Sequence, residues 1–144
     1  MISSILMVCV GNVCRSPMSE AMMRKRLPGC RVESAGIGAL VDSGAEAHAV
    51  SVMRDRGIDI SSHRARQVSA AICRNAELIL VMDAEQKYAV EQNYTFTCGR
   101  VFQIGQFSRF DVPDPYQRGR EQFSDCADLI EQGISDWVGR IAAI

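Results

Sequence analysis

The sequence predicts an α/β fold, a single domain over residues 1–144 whose four strands form a parallel sheet with helices on both faces. The main observation behind this prediction is that short apolar runs alternate along the chain with segments of helical periodicity. Strands that are joined through helices lie parallel in one sheet, with the helices packed on its faces. The length of 144 residues is also close to the commonest domain size, and no repeat, low-complexity segment or linker interrupts it.

The first half of the chain is predicted to contain two strands and three helices. Residues 3–8 form a short apolar run before a glycine-containing turn, which is typical of a buried strand. Ser16 and Pro17 predict a helix start, with Ser16 near the N-cap and Pro17 at the first helical position, and Pro28-Gly29 ends that helix. The other elements predicted here are a strand at 31–34, a loop at 36–44, a helix at 46–56 and a short helix at 69–74.

The second half continues the alternation and ends in a long helix. Residues 77–82 and 101–104 are apolar runs that predict the third and fourth strands, with a helix at 84–91 between them. A polar loop at 105–119 follows and contains Pro113-Asp114-Pro115. The last helix carries a stripe of apolar residues on one face, which predicts core packing. The stripe consists of Phe123, Cys126, Ala127, Ile130, Ile134, Trp137, Val138 and Ile141.

Charge and hydropathy exclude several classes of function. The net charge of −1 gives no basic footprint for a nucleic acid or an anionic membrane. No run of 18 apolar residues is present, and the apolar stretch 5–10 has no basic leader or cleavage site before it. We therefore expect a cytoplasmic protein that does not insert into a membrane.

The six cysteines are scattered through the chain, and none of them belongs to a CxxC pair. The sequence has only two histidines, so this pattern argues against a zinc site. Reduced thiols are the simplest interpretation, and their reactivity then depends on local electrostatics. We expect neither a metal nor another cofactor.

The turn after the first predicted strand is the strongest functional signal. It reads CVGNVCRS over residues 9–16, a Cys followed six residues later by an Arg. That spacing is weak by itself, but here Cys9 ends a strand and a helix begins where the motif ends. The loop also contains Gly11 and Asn12, two residue types that adopt unusual backbone angles at the lowest energetic cost. Parallel sheets bind ligands at the carboxyl ends of their strands, so we expect the functional site at this turn.

The five-residue loop between Cys9 and Arg15 can wrap so that its backbone N–H groups surround a tetrahedral oxyanion. The helix N-terminus adds free donors and partial positive charge, and Arg15 adds a planar fork for two phosphate oxygens. The same field favours the thiolate of Cys9, the expected nucleophile, and Ser16 can donate its hydroxyl to that sulfur. The loop residues expected to bind phosphate are Val10, Gly11, Asn12, Val13 and Cys14.

Phosphoryl transfer to a thiolate also needs an acid that protonates the leaving oxygen. Asp114 is the best candidate, because it lies in the loop after the last strand, at the same end of the sheet as Cys9. Pro-Asp-Pro by itself would favour a simple turn. The presence of Cys9 favours the acid, and Tyr116 close behind it is expected to form a wall of the pocket.

Five motifs together resemble the low-molecular-weight protein tyrosine phosphatases, and the resemblance spans nearly the whole chain. They are CVGNVCRSP at residues 9–17, Ser34-Ala35-Gly36, His63-Arg64-Ala65-Arg66-Gln67, Met82-Asp83 and Asp114-Pro115-Tyr116. The resemblance implies a four-stranded parallel sheet and a phosphocysteine intermediate that forms without metal. It also implies that Asn12, Ser16, Ser34 and His63 form a hydrogen-bond network that holds the loop.

Two positions depart from the animal members of that family. Leu40 stands where those members place an aromatic wall residue, and Gln117 follows Tyr116 in place of a second tyrosine. The chain is instead similar to the bacterial members that accompany capsule and exopolysaccharide export. That similarity implies a phosphotyrosine protein substrate, a membrane-bound tyrosine autokinase of polysaccharide export. We expect the phosphatase to be a monomer or a weak dimer.

Three alternatives would use some of the same residues. An arsenate reductase resembles this scaffold but needs resolving cysteines, and Cys73 and Cys98 lie 25 residues apart. A phosphocarrier subunit of a sugar transport system must avoid rapid hydrolysis, which Arg15 and a general acid would promote. A phosphotyrosine-binding module would not need a reactive thiolate. Release of phosphate from para-nitrophenyl phosphate without metal separates a phosphatase from all three.

Overall fold

Four parallel strands form the sheet, in the spatial order β2-β1-β3-β4. A computed structural model describes residues 1–142 of the chain. The strands are β1 (Ser4–Cys9), β2 (Arg31–Gly36), β3 (Leu78–Val81) and β4 (Val101–Gln103). The predicted parallel α/β architecture is therefore confirmed.

The carboxyl end of β1 is the point where the chain changes direction across the sheet. β1 pairs with β2 on one side, where Cys9 lies opposite Gly36, and with β3 on the other side. Parallel sheets open a crevice outside the strand ends at such a switch point, because the two connections leave toward opposite edges. The loop that follows Cys9 lies at this position.

Helices cover both faces of the sheet, as the alternation of elements predicts. Two separate apolar clusters lie between them and the strands. The first involves α1 (Arg15–Arg26), α2 (Ala47–Asp55) and α5 (Arg120–Ala142). The second involves α3 (Ala70–Arg74) and α4 (Ala84–Asn93).

The core follows from the period of the strands, whose successive side chains point to opposite faces. In β1, Ile5 and Met7 belong to the first cluster, and Leu6 and Val8 belong to the second. The apolar stripe of α5 is confirmed as core packing. Seven of its eight residues are buried and Val138 is partly buried against the same cluster.

The start of α1 differs from the prediction. The helix begins at Arg15, with Cys14 at the N-cap position and no side-chain cap, so Ser16 lies inside the first turn and Pro17 is its third residue. Proline is tolerated there because the first-turn N–H groups have no partner within the helix. The hydroxyl of Ser16 is instead committed to Cys9 and Asn12.

The remaining boundaries lie within two residues of those predicted. β2 extends to Gly36, and α4 extends to Asn93. Ser69 and Asp83 cap α3 and α4 by accepting hydrogen bonds from backbone N–H groups of the first turn. The structure also contains a 3₁₀ turn at Thr95–Thr97 that the sequence did not predict. Within residues 1–142, none of the helices has the length and apolar character needed to cross a membrane.

Candidate active site

A small pocket of about 150 Å³ opens at the carboxyl end of β1. Its walls come from the loop after β1, the loop after β2 and the loop before α5. The residues that line it are Cys9, Val10, Gly11, Val13, Cys14, Arg15, Gly38, Leu40, Asp114 and Tyr116. The fold thus brings together the three predicted catalytic residues and both predicted wall residues, although they lie far apart in the sequence.

Cys9 lies buried at the floor of this pocket, as the last residue of β1. Its Sγ is 2.9 Å from the Oγ of Ser16, in the first turn of α1. The free N–H groups and partial positive charge of a helix N-terminus stabilise an anion at such a position. The geometry suits a sulfur that reacts as a thiolate and a hydroxyl that donates to it.

Asn12 organises the loop from within. Its backbone is left-handed, with φ 57°, a conformation that asparagine adopts more readily than most residues. Its Nδ2 donates to the Oγ of Ser16 at 2.7 Å and to the Oγ of Ser34 at 3.0 Å. Its Oδ1 accepts the backbone N–H of Arg66 at 2.9 Å. The expectation of unusual backbone angles in this loop is met at Asn12, whereas Gly11 has no positive φ.

His63 contacts the same loop from outside. Its Nε2 donates to the backbone carbonyl of Asn12, at a distance of 2.7 Å. Of the four residues for which a network was predicted, Asn12 is therefore the centre. Each of the other three forms a hydrogen bond with it, the two serines with its side chain and His63 with its backbone carbonyl. Sequence reasoning missed the fifth partner, the backbone N–H of Arg66, because a main-chain donor leaves no mark on residue identity.

Gly36 allows the loop to lie close to the end of β2. A Cβ at this position would be 2.5 Å from the backbone oxygen of Val10 and 3.0 Å from the backbone nitrogen of Asn12. The N–H groups of the next two residues, Ile37 and Gly38, donate to the carbonyls of Cys9 and Val10 at 3.0 and 2.9 Å. The absence of a side chain at position 36 therefore sets how closely the two loops approach.

Arg15 is the buried cation of the site, with only 3% of its surface exposed. Its Nη1 donates to the carbonyl of Val112 at 2.8 Å and lies 3.8 Å from Asp83 Oδ2. Its Nη2 lies 3.7 Å from Asp114 Oδ2. Among the described residues, the buried Nε of Arg15 has no hydrogen-bond partner. Buried donors are rarely left unpaired, so this N–H is available to an anion in the pocket.

Asp114 lies at the mouth of the pocket, half exposed. Its Oδ1 accepts the backbone N–H of Tyr116 at 3.0 Å, which fixes the turn, and its Oδ2 faces Arg15. The loop is anchored just before this turn, where the N–H of buried Val112 donates to the carbonyl of Met82 at 3.0 Å. One carboxylate oxygen is thereby left directed toward the pocket.

Apolar side chains surround the opening. Leu40 is 43% exposed and Tyr116 is 39% exposed, and both line the pocket together with exposed Val10. The N–H of Leu40 donates to the carbonyl of Gly11 at 3.0 Å, which holds this wall against the loop after β1. The two predicted wall residues therefore do lie at the entrance.

Two other thiols lie close to the site. Burial raises the pKa of Cys14 far above that of an ordinary thiol, and the nearby charges of Cys9 and Asp114 add to the shift. Burial likewise raises the pKa of Cys126 to about 12, although Arg15 opposes the shift. Both therefore remain protonated at neutral pH.

The residues that the structure describes contain no cluster of three or more His, Cys, Asp or Glu side chains that could hold a metal ion. The groups that line the pocket include the backbone of the loop after β1, one guanidinium, one carboxylate and two thiols, those of Cys9 and Cys14. This arrangement can bind a tetrahedral oxyanion, attack it with sulfur and exchange a proton with the group that leaves.

Comparison with known proteins agrees with this geometry. Residues 4–143 match the family model for low molecular weight phosphotyrosine protein phosphatase. The chain is 46% identical over 144 residues to the probable low molecular weight protein-tyrosine-phosphatase EpsP of Ralstonia nicotianae, covering 100% of this chain and 99% of that protein.

Solved structures share the whole fold. The crystal structure of the tyrosine phosphatase Wzb from Escherichia coli K30 in complex with sulphate is similar to this chain, with a TM-score of 0.95 and 33% identity, covering 98% and 99% of the two chains. The arginine phosphatase YwlE from Geobacillus stearothermophilus is similar as well, with a TM-score of 0.92 and 31% identity, covering 98% and 94%. The match over nearly the entire length of the sequence places this chain in the low molecular weight phosphotyrosine protein phosphatase family.

Proposed function

We propose that the protein hydrolyses phosphotyrosine in other proteins through a phosphocysteine intermediate on Cys9. The observation that carries this proposal is the position of Arg15. Arg15 is buried at the start of α1 and lines the same pocket as Cys9, and its Nε has no partner in the described part of the chain. A buried cationic donor in that position favours binding of a dianionic phosphoryl group directly above the sulfur.

In the first step the Cys9 thiolate attacks phosphorus, so an S–P bond forms and the bond to the tyrosine oxygen breaks. Backbone N–H groups of the loop and the fork of Arg15 hold the three remaining phosphoryl oxygens. Asp114, in its protonated form, gives its proton to the departing tyrosine oxygen. The products of this step are the dephosphorylated tyrosine side chain of the protein substrate and phosphocysteine at position 9.

In the second step water attacks phosphorus and the S–P bond breaks. The carboxylate of Asp114 takes a proton from that water, the reverse of its first role. Inorganic phosphate leaves and Cys9 returns as a thiolate. The hydroxyl of Ser16, 2.9 Å from Sγ, can stabilise the negative charge that develops on sulfur.

The pocket entrance supports an aromatic phosphate as the substrate. Cys9 lies at the floor, and the walls include the exposed apolar side chains of Val10, Leu40 and Tyr116. A tyrosine ring is long enough to reach the floor and can pack against these walls. A phosphoserine is too short to make the same contacts, and a phosphoarginine would bring a charged group against apolar surface at a desolvation cost.

A membrane-bound tyrosine autokinase of polysaccharide export is the proposed partner, encountered in the cytoplasm. The support for this partner is the similarity to the protein named EpsP and to Wzb. A flexible tyrosine-rich tail suits a small, open pocket, because disordered segments bind many sites at modest affinity. The kinase partner is inferred separately from the chemistry and is tested separately.

The chemistry is tested with para-nitrophenyl phosphate in the presence of a metal chelator. We expect the wild type and Cys98→Ser, a matched change at an exposed cysteine outside the pocket, to release phosphate. Cys9→Ser should lose essentially all turnover yet still bind vanadate, because the loop and Arg15 remain. Retention of more than a few per cent of activity by Cys9→Ser would show that Cys9 is not the nucleophile.

Substrate choice is tested with matched phosphopeptides. We expect phosphotyrosine to be hydrolysed much faster than phosphoserine, phosphothreonine or phosphoarginine in the same peptide context. Comparable rates on any of these would contradict the tyrosine assignment. A phosphorylated tail of a polysaccharide-export kinase should be a good substrate, and failure on that tail alone would contradict only the proposed partner.

A further inference from the structure

A groove of about 370 Å³ lies near the pocket at Cys9, and the proposed mechanism makes no use of it. One wall is the first turn of α4, and the other is formed by residues of the segment 103–111, which begins at the end of β4. Because α4 follows β3, both walls lie at the carboxyl ends of strands. This is the end of the parallel sheet at which Cys9 lies.

The distance from the groove to the pocket is short on both walls. Asp111 lines the groove and Asp114 lines the pocket, so their Cα atoms are separated by at most about 11 Å of extended chain. On the other wall, Lys87 lies one helical turn after Asp83, whose Oδ2 is 3.8 Å from Nη1 of Arg15. A bound segment of three to five residues is therefore long enough to reach from one site to the other.

Two cationic side chains line the groove without a strong partner. Arg109 is exposed, and its side chain forms no ion pair or hydrogen bond within residues 1–142. Nζ of Lys87 lies 3.8 Å from Glu91 Oε1, in an i,i+4 pair of the kind that contributes little. Asp111 is the one carboxylate among the described residues that line the groove. Two positive charges therefore face one negative charge, which favours an anion.

The loop around Arg109 fixes the position from which its side chain extends. The backbone of Arg109 is left-handed, with φ 59°, a conformation that a residue other than glycine keeps only where the surrounding structure imposes it. On one side, the Oγ of Ser108 donates to Asp136 Oδ2 on α5 at 2.6 Å. On the other side, the N–H of Phe110 donates to the carbonyl of Gly105 at 3.1 Å. The arginine is thus held beside the groove before any ligand binds.

The lining of the groove also indicates which anion fits. Partly buried Phe110 adds an aromatic surface, against which another aromatic ring can pack. The side-chain amides of Gln103 and Gln106 can donate hydrogen bonds to an oxyanion. A phosphotyrosine presents both a dianion for the two cations and a ring for the phenylalanine. A carboxylate side chain presents a single charge and no ring.

We propose that this groove binds a second phosphotyrosine of the protein substrate, three to five residues from the one that is hydrolysed at Cys9. The inference rests on the proposed function, since it takes a phosphotyrosine protein as the substrate. The second contact adds affinity without touching the reacting group. It should therefore lower KM and leave kcat unchanged, so that the enzyme prefers segments phosphorylated on clustered tyrosines.

The test uses peptides that carry one hydrolysable phosphotyrosine and a varied residue four positions before or after it. The varied residue is phosphonomethyl-phenylalanine, glutamate or phenylalanine. The phosphonate mimics phosphotyrosine but is not hydrolysed, so each peptide has a single reacting group. We expect wild-type kcat/KM to be about fivefold or more higher with the phosphonate than with phenylalanine in at least one of the two orders, the factor that one or two exposed ion pairs support.

A charge-matched pair of double variants locates the effect. Lys87→Gln combined with Arg109→Gln should reduce the advantage of the phosphonate peptide to less than about twofold, because both cations are gone. The same variant should hydrolyse para-nitrophenyl phosphate at the wild-type rate, since that substrate does not extend into the groove. The control combines Lys25→Gln with Arg54→Gln, two exposed cations on α1 and α2 outside the groove, and should keep the advantage.

Three outcomes would overturn the inference. The wild type could show no preference for the phosphonate in either order, or the groove variant could keep the preference. Glutamate could also be as effective as the phosphonate, which would mean that the groove recognises acidic side chains in general and not phosphotyrosine. A wild type that does not hydrolyse the phosphotyrosine of the phenylalanine peptide would instead contradict the proposed function, so the two failures are distinguishable.

Discussion

Arg15 and Asp114 face each other across the mouth of the pocket, with Nη2 of the arginine 3.7 Å from Oδ2 of the aspartate. The same guanidinium donates to the carbonyl of Val112, two residues before the aspartate. Arg15, the proposed phosphate clamp, therefore also holds the loop that carries Asp114, the proposed acid. A change at Arg15 is expected to disturb both anion binding and the position of Asp114.

The first prediction concerns this clamp. Arg15→Lys should lower kcat/KM for para-nitrophenyl phosphate by about 10²- to 10³-fold, the range seen when a transition-state donor is removed. An ammonium cannot reproduce the planar fork or reach Val112 with the same geometry. Steady-state kinetics check this, with Arg118→Lys in the same loop as the matched control. Near-wild-type activity of Arg15→Lys would mean that a simple positive charge suffices.

The second prediction concerns the acid. Asp114→Asn should slow the hydrolysis of aryl phosphates with basic leaving groups by about 10²- to 10⁴-fold, and those with good leaving groups far less. Protonation matters most when the departing oxygen is basic. A series of substituted phenyl phosphates measures this slope, and Asp111→Asn, an exposed aspartate three residues earlier, should leave the slope unchanged. Equal losses across the series would make Asp114 a structural residue.

The sequence was sufficient to predict most of the fold, because the alternation of apolar runs with helical segments is a local signal. It also indicated the candidate site, since the Cys9 to Arg15 spacing coincides with a strand end and a helix start. The predicted start of α1 was wrong. Ser16-Pro17 has the residue preferences of a helix N-terminus, but the helix begins at Arg15 and the Ser16 hydroxyl contacts Cys9 instead of capping the helix.

Contacts made by main-chain atoms or by distant segments could not be predicted. The carbonyl of Val112 that holds Arg15 would be present with any residue at that position. The approach of Gly36 to Val10 depends on how β2 ends beside the loop, which no local pattern specifies.

The third prediction tests the close approach at Gly36. Gly36→Ala should destabilise the protein by about 1–3 kcal/mol, because the added methyl group would lie 2.5 Å from the carbonyl oxygen of Val10. It should also lower kcat/KM, since the displaced backbone belongs to the loop that we propose binds phosphate. Urea unfolding and kinetics measure the two effects. Gly139→Ala on α5, where a Cβ meets nothing within 4 Å, should be neutral or stabilising.

The fourth prediction concerns oxidation. We expect peroxide to oxidise Cys9 to a sulfenic acid, and the sulfur of Cys14 then to attack it, releasing water and forming a reversible disulfide. Burial and nearby negative charge raise the pKa of Cys14, so its thiolate is scarce at neutral pH. The thiolate fraction then increases as the pH is raised. The fraction of activity that a thiol recovers after peroxide should therefore increase from neutral to alkaline pH.

Cys14→Ser provides the contrast for this prediction. It should be overoxidised and recover poorly at every pH, whereas Cys98→Ser should behave as the wild type. Recovery of Cys14→Ser as complete as that of the wild type would show that Cys14 does not form the disulfide.

The most direct test of the mechanism is to look for the phosphocysteine itself. Wild-type enzyme is mixed with para-nitrophenyl phosphate, quenched in acid within milliseconds, digested and examined by mass spectrometry. We expect one phosphoryl group on the peptide that contains Cys9, transient in the wild type and absent from Cys9→Ser. A phosphoryl group on another residue, or release of phosphate without any covalent adduct under these conditions, would contradict the proposed mechanism.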